Sequence, residues 1–259
     1  MPVLFTCPHG GRGRLKETPE RQIRNLPSPP CSRKKFSTKK DRRTKEITEK
    51  IIENIIRLGK RQVYQQIADI HRAYVDLNRI PRCAFEPSID DLPAEVYGKY
   101  HNNIIEIINN MYLQNNTGLR FLFDIHGTEE TEVKLEDGST VKVDVFFGTD
   151  KKHKNTICGL LKINPNALWD NNTGLIRLLQ IKGYNTFPRA INENEYYKLD
   201  GGTTIQKYGG CNVKKRVEAI QIEVGPRFRL KKNLRERFAN DIAECIFKFS
   251  SRYIEKKSE

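Results

Sequence analysis

Hydrophobic positions along this chain alternate between strand-like runs and helical stripes, a mixture that predicts an α/β fold. Apolar residues dominate Leu119–Phe123, and Asp124, His126 and Gly127, with Ile125 among them, close the run. A stretch of this kind suits a central strand of a parallel sheet, and ligands of open α/β sheets gather at the carboxyl ends of such strands. Asp124 and His126, two residues apart, share one face of it. Val3-Leu4-Phe5-Thr6-Cys7-Pro8-His9-Gly10-Gly11 repeats the form: an apolar strand, a histidine, then glycines that let the backbone turn sharply.

Between these strands the pattern changes twice. Residues 12–40 lack apolar periodicity and read as a long loop. Ile47, Ile51 and Ile55, widened by Ile52 and Ile56, then predict a helix from Asp41 or Thr44 to Gly59. Residues 61–70 and 71–79 read as extended, up to Pro81. Leu92-Pro93 opens a helix to about Leu113 with Tyr97, Tyr100, Ile104, Ile108 and Met111 on one face. After His126, Val133 and Leu135 alternate up to Asp137-Gly138, and Val141, Val143 and Val145 alternate beyond it, a hairpin signal. A helix over Ala167–Ile181, a loop with one short strand over 184–213, a strand at Glu218–Val224 and a last helix over about Asn233–Ile254 complete the pattern. No internal repeat is visible. The expected architecture is one α/β domain over residues 1–259, its mixed, mainly parallel sheet flanked by helices.

Charge singles out one stretch. Of the net charge of +14, +11 lies in residues 12–61, which hold 17 Lys/Arg against 6 Asp/Glu. Such a balance favours anionic partners. The cysteines Cys7, Cys31, Cys83, Cys158, Cys211 and Cys245 are scattered, without a CxxC pair, and read as reduced thiols of a cytoplasmic protein. No export signal and no apolar run long enough to span a membrane is expected.

The strand-end histidines point to a metal. A catalytic zinc takes three protein ligands and keeps one position for water, with imidazole and carboxylate as common donors. His9 and His126 supply the nitrogens, while Glu17, Glu20, Asp41 and Asp124 all stand open as the carboxylate. Asp124 has a second possible role, as the acceptor that orients a ligating imidazole. Glu223 ends its strand where a zinc hydrolase needs a general base. Arg72 and Arg79 flank Asp76 and Asn78, and an arginine beside an asparagine can grip a carboxylate through parallel hydrogen bonds.

The ordered set Cys7-Pro8-His9-Gly10-Gly11, Arg72 through Asp76-Leu77-Asn78-Arg79, Tyr100-His101, Asp124-Ile125-His126, Gly201-Gly202 with Tyr208-Gly209, and Gln221-Ile222-Glu223 covers most of residues 3–230. It resembles the N-formylglutamate amidohydrolase family, a branch of the zinc carboxypeptidase-like hydrolases related to aspartoacylase and succinylglutamate desuccinylase. The resemblance implies a zinc-carboxypeptidase-like (phosphorylase/hydrolase-like) fold and one Zn2+ per chain, or another divalent metal, held by His9, Asp41 and His126. It implies Glu223 as general base, Asn78 and Arg79 on the substrate's α-carboxylate, and Arg72 beside the scissile carbonyl as a fixed cation for the oxyanion. Gly127-Thr128 departs from the family, whose members often carry serine there, and the segment before Asp41 is unusually basic.

The implied activity is metal-dependent hydrolysis of a C–N amide bond in an N-acylated acidic amino acid or a related acidic peptide. The basic loop is expected to rim the pocket and steer an anionic substrate larger than formylglutamate, such as a γ-linked glutamyl chain. A same-fold carboxypeptidase or amidase acting on peptides is one alternative. Another is a basic polyanion- or nucleic-acid-binding protein that keeps the fold without the activity. Against nucleic acid, Phe36 is the only aromatic residue within 12–61, where base stacking calls for several.

Overall fold

The computed structural model describes residues 3–28, 30–31, 36–59, 63–86, 91–114, 118–150, 155–210 and 217–254. Residues 29 and 32–35 of the basic loop, 61–62 of the expected extended segment and 211–213 of the expected 184–213 loop lie outside them. Six strands form the main sheet in the order β2 (Val63–Ile67), β1 (Val3–Cys7), β3 (Phe121–Gly127), β8 (Glu218–Val224), β6 (Val145–Gly148) and β7 (Thr186–Phe187). The first four run parallel; β6 is antiparallel to β8 and β7 parallel to β6. This is the mixed, mainly parallel sheet that the sequence predicts.

Strand alternation sorts the side chains onto two faces. Val3, Phe5, Phe121, Phe123, Ile125, Ile220, Ile222 and Val224 meet the apolar stripes of α1 (Thr44–Gly59) and α8 (Lys232–Ile254), namely Ile47, Ile51 and Ile55 with Phe238, Ile242, Ile246 and Phe249. On the other face Leu4, Leu122 and Ala219 pack under α3 (Leu92–Gln114) and α6 (Thr203–Tyr208). Polar residues interrupt that second face only toward the carboxyl ends of the strands, where Thr6, Asp124, His126, Gln221 and Glu223 are all buried. The core therefore stops where the candidate chemistry begins.

Several expected boundaries move. Residues 71–79 are turns, not a strand: Tyr74 N and Val75 N donate to His71 O, and Arg79 N donates to Asp76 O. The helix expected over Ala167–Ile181 is only α5 (Leu175–Ile181), because Asp170 Oδ1 accepts from Asn172 N at 2.9 Å and Thr173 N at 2.8 Å, a local turn that competes with the helix. The hairpin is confined to β4 (Glu132–Lys134) and β5 (Thr140–Lys142), with Gly138 at φ 85° in its turn, while Val145 belongs to the main sheet. The short helices α2 (Pro81–Ala84), α4 (Cys158–Ile163) and α7 (Pro226–Leu230) lack a periodicity long enough to be seen, and α6 falls within the expected loop.

The reduced-thiol expectation is also corrected. Cys31 and Cys83 form a disulfide across 52 residues of sequence, fastening the basic loop to α2. Cys158 is disulfide-bonded as well, whereas Cys7 and Cys245 are free and buried. The pairing depends on how the loop wraps, which cysteine spacing does not encode. No helix among the described residues is long and apolar enough to cross a membrane.

A buried histidine is carried by α3 itself. His101 is 2% exposed among Tyr97, Tyr100 and Tyr208, with Nδ1 2.7 Å from the Tyr208 hydroxyl. Burial, with Lys207 adding, lowers its pKa from 6.5 to about 4. The unfolded chain thus binds a proton at His101 that the folded chain refuses between these values. Stability falls as pH drops through that window, by about 3 kcal/mol in all. Urea unfolding at pH 7 and pH 4.5 is expected to show His101→Asn losing less stability over that interval than the unsubstituted chain.

Candidate functional site

The site is built at the carboxyl ends of β1, β3 and β8. His9 stands two residues beyond β1 and is followed by Gly10 and Gly11. A Cβ on Gly11 would lie 2.3 Å from Ile70 O, so glycine is required for the chain to pass the 69–70 segment. Asp41 precedes α1 and is drawn to His9 by its backbone, Asp41 N donating to His9 O at 3.0 Å. Thr44 then starts α1 with its Oγ1 donating to Asp41 O at 2.7 Å. His126 lies within β3, in register with Glu223 of β8.

His9, Asp41 and His126 are brought together. One donor atom from each lies within 4.8 Å of the others, and all three residues are buried. Asp41 Oδ2 is 3.5 Å from His9 Nδ1 and 3.2 Å from His126 Nδ1, and it accepts from Gly127 N at 3.1 Å. Each imidazole is held from behind. His9 Nε2 is 2.7 Å from Asp76 Oδ1, and His126 Nε2 is 2.9 Å from Asp124 Oδ2. Asp124 is steadied in turn by Thr6 Oγ1, which donates to its Oδ1 at 2.6 Å. With each Nε2 facing a carboxylate, a proton held at Nε2 leaves Nδ1 as the nitrogen that faces the shared space and can ligate an ion in place of its own proton, the arrangement of a metal-ligating histidine.

A divalent metal fits this donor set. His9 Nδ1 is buried without a hydrogen-bond partner, a loss that coordination would make good. Burial disfavours charge on Asp41, yet His9 and His126 hold its carboxyl well below the usual range. Burial likewise opposes charge on His126, but Asp124 and Asp41 outweigh it and push its pKa up. The pocket favours positive charge where the three donors meet. Of the carboxylates left open by the sequence, Glu17 and Glu20 are exposed, and Asp124 faces the far nitrogen of His126.

The remaining candidates surround this centre. Glu223 is buried, and Gln221 Nε2 donates to its Oε1 at 3.1 Å. Burial, with Asp41 adding and His126 opposing, pushes its pKa up to about 7. Arg72 donates from Nε to Asp76 Oδ2 at 2.9 Å and places Nη1 3.7 Å from Asp41 Oδ1. Asn78 is buried, its Oδ1 accepting from Thr204 N at 2.8 Å and its Nδ2 lying 3.2 Å from His126 Nε2. Arg79 donates from Nη1 to Asn78 O at 2.8 Å, with Nε 4.0 Å from Asp76 Oδ2.

Two further groups carry no distinguishing signal in the sequence. Asp76 is the acceptor that orients His9, and Arg21, from the basic loop, places Nη1 3.2 Å from Asp76 Oδ2. Arg21 is also buried over the Phe36 ring, and burial lowers its pKa to about 10. Nothing in the sequence separates it from the many basic residues around it. Other side chains of that region, Arg14, Lys16, Lys39 and Arg42, are exposed. Two open surface clefts of about 610 and 280 Å³ are lined by residues of β4, β5, α5, β7 and α7 and their connections, and contain none of these site groups.

No family model and no curated protein sequence matches the chain. Solved structures do. A crystal structure of N-formylglutamate amidohydrolase from Ralstonia eutropha JMP134 aligns with a TM-score of 0.62 at 15% identity, covering 97% of this chain and 93% of that one. A gene product from Agrobacterium tumefaciens aligns with a TM-score of 0.57 at 14% identity, covering 97% and 91%. At such identities the likeness is one of fold, and it spans nearly the full length of each chain.

Proposed function

On the fold shared with N-formylglutamate amidohydrolase, we propose that this chain is a metal-dependent amidohydrolase that cleaves a C–N amide bond in an N-acylated acidic amino acid or a related acidic peptide. The observation that carries the proposal is the convergence of His9 Nδ1, Asp41 Oδ2 and His126 Nδ1 beside the strand-end Glu223. His9, Asp41 and His126 would hold the ion, with zinc the metal best suited to two imidazoles and one carboxylate. When bound, it would supply Lewis acidity toward the amide carbonyl and lower the pKa of water.

The chain's own residues carry the rest. Glu223, kept near neutrality by burial, accepts a proton from the attacking water and delivers it to the leaving nitrogen. Arg72, with Nε committed to Asp76, is a fixed cation at the Asp41 edge, suited to charge developing on the carbonyl oxygen. Arg79, supported by the Asn78 carbonyl, offers its guanidinium to a substrate carboxylate, with the Asn78 amide beside it. The exposed cations of the basic loop favour an anionic substrate on approach.

The test is a panel of N-formyl and N-acetyl amino acids and γ-linked glutamyl peptides, assayed with zinc at low and high salt. Hydrolysis of glutamate or aspartate derivatives, preferred over their glutamine or asparagine counterparts and weakened by salt, is the expected result. Absence of amide cleavage across the panel by the zinc-loaded protein contradicts the proposal.

A further inference from the structure

Arg229 is fully buried, on the short helix α7 that follows β8. Every arm of its guanidinium is engaged. Nε donates to Val224 O at 2.8 Å, Nη1 to Arg42 O at 2.6 Å, and Nη2 to Thr128 O at 2.8 Å and to Glu129 Oε1 at 2.7 Å. Glu129 is itself largely exposed, so backbone carbonyls supply most of the buried contacts. Those carbonyls belong to three separate segments of the chain. Val224 follows Glu223, Arg42 follows Asp41, and Thr128 lies two residues beyond His126.

One cation thus ties the segments that carry two proposed metal ligands and the proposed base. The fit over β3 is close: a Cβ on Gly127 would lie 2.6 Å from Arg229 Nε and 2.8 Å from its Cζ. Gly127 N, from the same residue, donates to Asp41 Oδ2 at 3.1 Å. Glycine at this position leaves room for the guanidinium to sit against the strand. Lysine offers a single point charge and cannot hold three diverging carbonyls in one plane.

We infer that Arg229 is a positioning residue that sets the mutual spacing of Asp41, His126 and Glu223 without touching the reacting groups. The inference rests on the metal-centre reading above. Displacement of such groups by about 1 Å costs on the order of 100-fold in rate, and loss of a ligand's supporting contacts weakens metal binding by roughly 10–100-fold.

The experiment is cobalt(II) and zinc binding, measured by competition with a chromophoric chelator, on the full-length unsubstituted protein, Arg229→Lys and Gly127→Ala, with thermal unfolding of each metal-free form. Gly127→Ala keeps every donor but displaces the guanidinium, so it decides the matter if Arg229→Lys does not fold. The expected result is one ion per chain in the unsubstituted protein and cooperative unfolding of Gly127→Ala with metal Kd weakened about 10–100-fold. Tight binding by the unsubstituted protein with Kd unchanged within about twofold in a folded variant, whatever its Tm, overturns the role of Arg229 alone. Failure of both variants to unfold cooperatively also overturns it, by making Arg229 a requirement of the fold. No metal binding by the unsubstituted protein overturns the metal-centre reading, and this inference with it.

Discussion

Glu223→Gln is expected to lower kcat by about 10²–10⁴-fold while the protein still folds and still binds metal. Glutamine keeps the size of the side chain in a buried position at the end of β8. It removes only the capacity to accept and return a proton. The acid limb of the pH profile identifies the same group. In the metal-free chain burial raises Glu223 to about 7, so its carboxylate form is present above that pH and fades below it. With metal bound the charged form is favoured and the limb moves down from 7, with activity still falling tenfold per pH unit below it. Residual activity of Glu223→Gln should lack this limb. A variant with near-normal kcat, or one that keeps the limb, removes Glu223 from the mechanism.

Asp76→Ala is expected to cost about 3–5 kcal/mol of stability and about 10–100-fold in metal affinity. Asp76 is fully buried between His9 on one oxygen and three arginines, Arg21, Arg72 and the more distant Arg79, on the other. Burial works against its charge, but Arg72 and then His9 hold its carboxyl well below the usual range. Its removal strands Arg21 and Arg72 in the interior and frees the His9 ring to rotate. The contrast with Asp69 shows which effect dominates. Asp69 pairs with Lys45 at 2.8 Å, yet its side chain is 83% exposed, so Asp69→Ala should cost less than about 1 kcal/mol. Urea unfolding of the two variants side by side, with metal titration of each, checks both parts. Equal, small losses would mean that Asp76 is not the keystone of the buried network.

Much of this arrangement was legible in the sequence, for identifiable reasons. The apolar alternation of β8 runs unbroken from Glu218 to Val224, and α3 carries its stripe from Tyr97 to Met111, so the sequence places both close to their observed limits. His9 and His126 stood out because each follows an apolar run and precedes glycine. Residues 71–79 misled because Ala73, Val75 and Leu77 alternate like a strand, though turns deliver them to the core. The Cys31–Cys83 bond, the Arg21 contact with Asp76 and the Arg229 contacts all join positions more than 50 residues apart or across a loop. Buried and solvated arginines read alike in a chain this basic. Only the family resemblance distinguishes Asp41 from the other acidic residues, since the loop that carries it to His9 has no periodic signal.

The most direct test of the metal-centre account is elemental analysis of protein purified without a metal-affinity tag, for the unsubstituted chain, His9→Ala and His126→Ala. The account predicts about one zinc per chain, lost in both variants while each keeps its fold by circular dichroism. An unsubstituted chain that holds no metal and takes up none from the divalent series, or variants that retain it, would contradict the account.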